Sequence, residues 1–265
     1  MTAAPVRSRS LLADLRAMGL VAGGVVLVHC SMRKVGYLDG GVAALALAFR
    51  EAIGPSGTLV VTTQTPGNSV SSDAFRAATA GMTDTERAAY EEQMPGFDAR
   101  TTPSFGVGAF AEHIRGLPDA VRSGHPQTSF CAWGPKAPDL MRVHELDSHL
   151  GERSPLAALE RADATTLLLG VGYESCTALH LAEYRLRRPA AVRDYRCYEM
   201  RQGRRVRVDF RAPHLDAAPF ARIGIGLDRE TFTRRGIVGR APARLLPIRA
   251  AVRYAVQWMD RNLLR

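Results

Sequence analysis

Apolar positions along this chain follow two rhythms. Val25-Val26-Leu27-Val28, Leu59-Val60-Val61 and Leu167-Leu168-Leu169 are short unbroken apolar runs bounded by glycine, threonine or histidine. Runs of this length between turn signals predict buried strands. The second rhythm has helical spacing. Residues 10–19 form an amphipathic stretch ended by Gly19, and the turn Asp39-Gly40-Gly41 opens an Ala/Leu-rich helix through about Ala52. Gly54-Pro55-Ser56-Gly57 stops that helix before Thr58–Thr62, so strand, helix and strand follow in the order of a right-handed parallel crossover.

The pattern breaks from Gln64 to Thr102, which is polar, rich in Gly, Pro, Ser and Thr, and predicts one helix near Thr83–Met94. Regular structure resumes with helices near Val107–Ile114, Lys136–Arg142 and Pro155–Arg161 and strands at Thr128–Ala132 and Thr165–Leu169. Gly170 and Gly172 end the last of these, and a helix starts at about Thr177. Asp194–Met200 and Val206–Phe210 predict a hairpin around Gln202-Gly203, Ala243–Pro247 a final strand, and Ala250–Leu264 a terminal helix. The expected architecture is a single mixed α/β domain over residues 1–265. It has a central, partly parallel sheet flanked by helices and an irregular insertion around residues 64–102.

Composition narrows the class. Apolar residues make up 46% and charged residues 23%, which excludes collagen-like, acidic-disordered and disulfide-scaffold chains. No apolar run approaches the roughly 18 residues of a membrane span, and residues 11–16 are too charged for the centre of a signal peptide. A cytoplasmic protein is expected. Cys30, Cys131, Cys176 and Cys197 show no C-x-x-C spacing and are expected to be free thiols. The net charge of +9 is uneven: residues 66–101 carry −3, which leaves +12 elsewhere. Only Lys34 and Lys136 are lysines among 35 basic residues, a skew that points to genome composition more than to a binding requirement.

Candidate chemistry lies after two strands. His180 and Glu183 are three residues apart, hence on one helical face, where a carboxylate can fix an imidazole's tautomer and stabilise its protonated form. Alone, such a pair is more often a structural contact. His29-Cys30-Ser31 follows the first strand, where open α/β sheets bind ligands, and Gly36, Gly40 and Gly41 lie nearby. Ser154 before Pro155 makes a helix cap that can also present an anion site. A Walker loop, a G-x-S-x-G elbow and an H-E-x-x-H zinc motif are absent. His144 and His149 are five apart without a dense ligand cluster, and no metal is expected.

These pieces occur in one order. His29-Cys30-Ser31 with Gly36 and Gly40-Gly41 comes first, then Gly57–Thr62, Phe97-Asp98 with Thr102-Pro103, and Arg122-Ser123-Gly124-His125-Pro126. His149-Leu150-Gly151-Glu152-Arg153-Ser154-Pro155-Leu156, Leu168–Gly172 and Thr177-Ala178-Leu179-His180-Leu181-Ala182-Glu183 complete the set. In this order the chain resembles the aminoglycoside 3-N-acetyltransferase family, the antibiotic N-acetyltransferase group outside the common acetyltransferase superfamily. The resemblance implies acetyl transfer from acetyl-CoA to the 3-amino group of 2-deoxystreptamine in a ternary complex, an antibiotic-resistance type of activity. It makes His180 the base and Glu183 its orienting partner. It lines the acetyl-CoA site with His29, Cys30, Ser31, Met32 and Arg33, Ser31 being the best polar contact and Ser154 a weaker one. Cys30 stands where many relatives carry Ser or Thr. On the acceptor side Gln64 and Thr177 are expected contacts, and the acidic insertion supplies a carboxylate for the cationic antibiotic, with Asp98 the first choice.

Other classes remain open at this stage. An acyltransferase for a different amine would show the same donor site and base. Residues 201–265, with 15 Arg and five acids, offer a basic face to nucleic acid, but no binding motif accompanies them. A thioesterase using Cys30 or Cys176 is the third. The expected partners are thus acetyl-CoA and an aminoglycoside, without nucleic acid or membrane, in a monomer or homodimer.

Overall fold

The computed structural model describes residue 6 and residues 8–263. Leu264, the expected end of the terminal helix, lies outside them. The described residues form nine strands: β1 (Val25–Cys30), β2 (Thr58–Thr62), β3 (Ala120–Arg122), β4 (Phe130–Trp133), β5 (Thr165–Leu169), β6 (Val192–Arg201), β7 (Arg204–Pro213), β8 (Arg234–Val238) and β9 (Ala241–Pro247). Seven of them form one sheet in the order β3-β4-β2-β1-β5-β9-β8. The three central strands β2, β1 and β5 are parallel. Antiparallel pairs continue the sheet at both edges, so the partly parallel sheet expected from the apolar runs is present.

Successive residues of the central strands point to opposite faces, and both faces are covered. Val25, Leu27, Val60, Phe130, Leu168 and Leu246 pack against the helices Ala137–Met141, Pro155–Arg161, Phe220–Leu227 and Ile248–Asn262. Val26, Val28, Leu59, Val61, Leu167 and Leu169 pack against the helices Ser8–Ala17, Gly41–Ile53 and Gly108–Arg115. Coverage on two sides explains why β1, β2 and β5 are apolar without alternation. No helix among the described residues is long and apolar enough to cross a membrane.

The insertion is more regular than its composition suggests. It holds a 3-10 turn at Pro66–Asn68 and two helices, Asp73–Ala78 and Asp84–Glu92. Ser72 caps the first and Thr83 with Glu86 makes a capping box on the second. The first was not expected because six residues are too few to show a helical period.

β6 and β7 form a separate two-stranded sheet, joined by a two-residue turn in which Gln202 and Gly203 both have positive φ (51° and 75°). That geometry matches strand twist in tight hairpins. The outer edge of β6 is covered by the insertion. Ser69 and Phe97 make isolated bridges to Cys197 and Glu199. Between them, buried Asn68 accepts from Tyr198 N (2.8 Å) and donates to Tyr198 O (2.7 Å) and Pro95 O (2.9 Å). Hairpin and insertion thereby form one wall beside the C-terminal ends of the parallel strands.

Candidate active site

From β1 the chain crosses to β2 on one side, while β5 lies on the other, so a crevice opens where the segments leaving the C-terminal ends of β1 and β5 part. Cys30 is in register with Leu169, and Ser31 N donates to Leu169 O (2.9 Å). The turn out of β5 passes through Gly170 at φ +70°, where a Cβ would come within 2.9 Å of Lys34 Cβ and 3.4 Å of Ser31 Cβ. Glycine is required there by both conformation and space. The chain then makes 3-10 turns at Tyr173–Ser175 and Thr177–Leu179 and one α-turn at His180–Glu183. The longer helix expected from Thr177 is not formed, yet the three-residue spacing still brings both side chains to one face.

His180 Nδ1 lies 2.5 Å from Glu183 Oε2, and the two side chains are 15% and 8% exposed. Glu183 Oε1 accepts from the backbone N–H of Asp216 (2.7 Å), and the Phe220 ring packs 4.7 Å from the imidazole. With both carboxylate oxygens engaged, Glu183 holds the Nδ1–H tautomer in place. No group among the described residues bonds His180 Nε2, which leaves that nitrogen available to accept a proton.

His180 stands between two cavities. The first, of about 630 Å³, is lined by the run from Val28 to Arg33, by Gly106–Ala111 and by Glu174, Ser175 and Thr177. The second, of about 610 Å³, is bounded by the insertion (Ser69, Ser71, Asp73, Arg76), the hairpin (Arg193, Tyr195), His149, and the His214–Asp216 loop. Gln64, His180 and Ala217 line both.

Most of the residues singled out in the sequence thus meet here: His29, Cys30, Ser31, Met32, Arg33, Thr177 and Gln64 line the first cavity with His180. The Ser31 side chain makes no capping bond, so its hydroxyl is not consumed by the fold. Ser154 and Asp98 are not brought in. Ser154 is buried, donates to Gly151 O (2.7 Å) and accepts from Leu156 N (3.2 Å), so its hydroxyl serves its helix. Asp98 closes a local turn, accepting from Arg100 N and Thr101 N, bonds that hold its carboxyl below the usual range. Of the six acids in the insertion only Asp73 lines a cavity. Gly36, Gly40 and Gly41 line neither of the two. Sequence reasoning missed Gly106–Ala111 and the walls built by β6 and the loop after β7, because these meet His180 only through long-range contacts.

It also missed a buried histidine stack behind the second cavity. His125 lies 4.7 Å from the His144 ring and 4.5 Å from that of His149, which in turn packs 4.5 Å from Tyr195. Burial lowers His125 to about 4 and His149 to about 2, and takes His144 well down too. His29 is lowered to about 4 by burial, with His180 adding to the effect. Among the described residues no group of three His, Cys, Asp or Glu converges as a metal site. Four imidazoles that stay neutral when folded but charge when unfolded make the unfolded chain the better proton binder below pH 6.5. Stability present above that pH is therefore lost as pH falls toward 4, by about 1.4 kcal/mol per pH unit for each excluded proton. Thermal melts should show Tm declining steadily from pH 7 to pH 5; a flat Tm across that interval contradicts this.

Burial pushes all four thiols up to about 12. A thiol so rarely ionised is a poor nucleophile near neutrality, which disfavours a thioesterase built on Cys30 or Cys176.

Comparison with known proteins agrees with the ordered motifs. The family model described as aminoglycoside 3-N-acetyltransferase matches residues 27–260. Aminoglycoside N(3)-acetyltransferase VIII of Streptomyces fradiae is 33% identical, over 98% of this chain and 93% of that one. The YokD protein of Bacillus subtilis, described as a prophage-derived aminoglycoside N(3')-acetyltransferase-like protein, is 32% identical over 98% and 95% of the two chains. Its crystal structure superposes with a TM-score of 0.93, at 31% identity over 100% and 97% of the two chains. A structure titled as AAC-IIIb binary with CoASH gives 0.85, at 28% identity and 97% coverage of each chain.

Proposed function

Because the chain belongs to the aminoglycoside 3-N-acetyltransferase family, we propose that it moves the acetyl group of acetyl-CoA onto the 3-amino group of an aminoglycoside's 2-deoxystreptamine ring. Sheet, insertion and hairpin act as one catalytic unit. The observation that carries this reading is the position of His180 on the wall shared by two cavities, with Glu183 behind it.

The first cavity suits the donor. Ser31 offers an uncommitted hydroxyl, Arg33 a charge for phosphate, and His29 a neutral imidazole whose Nε2 has no protein partner. A relative's structure titled as a binary complex with CoASH supports a CoA donor. The second cavity receives the amine. Only an unprotonated amine attacks a thioester, so the base must take a proton during attack. His180 Nε2 accepts it as the C–N bond forms at the acetyl carbon and the C–S bond breaks. Glu183 stabilises the imidazolium, which returns the proton to the departing thiolate. Amine and thioester become amide and thiol, with no net proton change within the site. Direct transfer is favoured over an acyl-cysteine because the Cys30 thiol stays protonated.

The test is CoA-thiol release against aminoglycosides with a free 3-amine and the same compounds already acetylated there. Only the free amines should turn over. Glu183→Gln keeps an acceptor for Asp216 N but loses the charge opposite the imidazolium, and should lower kcat by about 10²-fold. Equal turnover of both sets, or an unchanged kcat, would overturn the assignment.

A further inference from the structure

The helix Phe220–Leu227 bears on the His180–Glu183 pair at one end and on a buried tyrosine at the other. Just before the helix, Asp216 N donates to Glu183 Oε1 (2.7 Å), and Ala217 lines both cavities. Ala217 O accepts from Phe220 N (2.9 Å), and the Phe220 ring lies 4.7 Å from the His180 imidazole. The place of this helix therefore sets two of the groups that surround the pair.

The far end of the helix is tied down. Asp228 closes it, with its N–H bonded to Gly224 O (2.9 Å). The Asp228 carboxylate accepts from Tyr173 OH (2.8 Å) and from Arg244 Nε of β9 (2.9 and 3.1 Å). The Arg244 guanidinium also lies 5.5 Å from the centre of the Tyr173 ring. Gly224 leaves the ring its place, since a Cβ there would come within 2.1 Å of it. Burial and the bond to Asp228 keep the phenol protonated, and so a donor.

Tyr173 belongs to the segment that runs from β5 to His180. Tyr173 O accepts from Cys176 N (2.9 Å), and Cys176 O from Leu179 N (3.0 Å). The segment that carries His180 and the helix that packs on it are thus joined at a second point, and Arg244 fastens that point to the central sheet. One contact lets a helix pivot; two hold it. A small displacement of a proton-transfer group is costly in rate.

We propose that Tyr173, braced by Asp228 and Arg244, is a positioning residue for the His180–Glu183 pair, acting through the Phe220–Leu227 helix and the loop before it. The inference rests on the acetyl-transfer reading for the use of His180 as the base.

Tyr173→Phe tests it, because the ring stays against Gly224 and only the hydroxyl is lost. In CoA-thiol release with an aminoglycoside, kcat should fall about tenfold, while the acetyl-CoA KM stays within about twofold and Tm within about 5 °C. On a His180→Ala background the same substitution should change kcat by less than about twofold, because no imidazole remains to be oriented. Proton NMR reads the pair without turnover. The His180 Nδ1–H signal, identified by its loss in His180→Ala, should shift or broaden in Tyr173→Phe and in Asp228→Asn, which weakens the same bond from the other side. An unmoved signal with unchanged kcat overturns the proposal. An equal loss of kcat in both backgrounds overturns it too, as does a rise in acetyl-CoA KM alone, which would confine Tyr173 to the wall formed by its neighbours Glu174 and Ser175. If the signal moves but the wild type acetylates no amine, the positioning role stands and the acetyl-transfer reading falls.

Discussion

Replacing His180 with alanine is expected to reduce kcat by about 10²–10⁴-fold, the usual contribution of a positioned general base. The KM for acetyl-CoA should stay within about twofold, because the proposed base would act on the amine in the transition state rather than on the bound thioester. The fold should survive. His180 sits at the rim of two cavities, while the neighbouring core residues Leu179, Leu181 and Ala182 are fully buried and untouched. Residual activity should rise with pH in the variant, since solvent must then remove the proton that His180 no longer takes. Single-turnover kinetics on wild type and variant checks this. A variant that retains wild-type kcat, or loses acetyl-CoA binding along with it, would show that His180 is not the base.

The second large effect is expected far from the reacting atoms. Asn68 pairs with both backbone groups of Tyr198, as a neighbouring strand would. Asn68→Ala leaves Tyr198 N buried without its acceptor, at a cost of about 1–3 kcal/mol. Tyr198 O keeps its bond from Phe97 N (2.8 Å), so the hairpin should loosen rather than detach. Because β6 carries Arg193 and Tyr195 into the second cavity, the acceptor KM should rise by about tenfold. The donor cavity draws no residue from the hairpin, and the acetyl-CoA KM should hold. Steady-state kinetics with each substrate varied in turn, together with Tm, reads both parts. A parallel rise of the two KM values would mean general destabilisation instead.

The parts of the fold that were legible in the sequence are those decided locally. β2, β5 and the Pro155–Arg161 helix have the same bounds in sequence and structure, because apolar runs between turn residues and a Ser-Pro start leave little choice. The tie between His180 and Glu183 was legible from spacing alone. β3 is three residues long, and β8 is an exposed edge strand rich in arginine, so neither carries a pattern. The Phe220–Leu227 helix is broken up in sequence by Gly224 and Gly226. There a Cβ would meet the rings of Tyr173 (2.1 Å) and Tyr254 (2.8 Å to Cζ), contacts that only tertiary structure reveals. The acceptor side was least legible. Net charge singled out the insertion, but charge says nothing about direction: Asp98 turns back on its own loop, while Glu183 is met by the backbone N–H of Asp216, a contact that no charge count reveals.

The two cavities are made of different material. The proposed donor side draws largely on strand ends and turns of the central sheet, where Gly170 tolerates no side chain and Val28 and Cys30 also serve a packed core. The acceptor side is faced by a hairpin that forms a separate sheet and an insertion fastened to it. Substitution in the first is constrained twice over; substitution in the second is constrained mainly by the ligand. Under the proposed assignment, lineages sharing this scaffold can exchange one amine for another by altering β6 and its partner segment, while thioester use and the His–Glu pair persist. Divergence among such proteins should concentrate at positions like Arg76, Arg193 and Tyr195, and two members with nearly superimposable sheets need not share an acceptor.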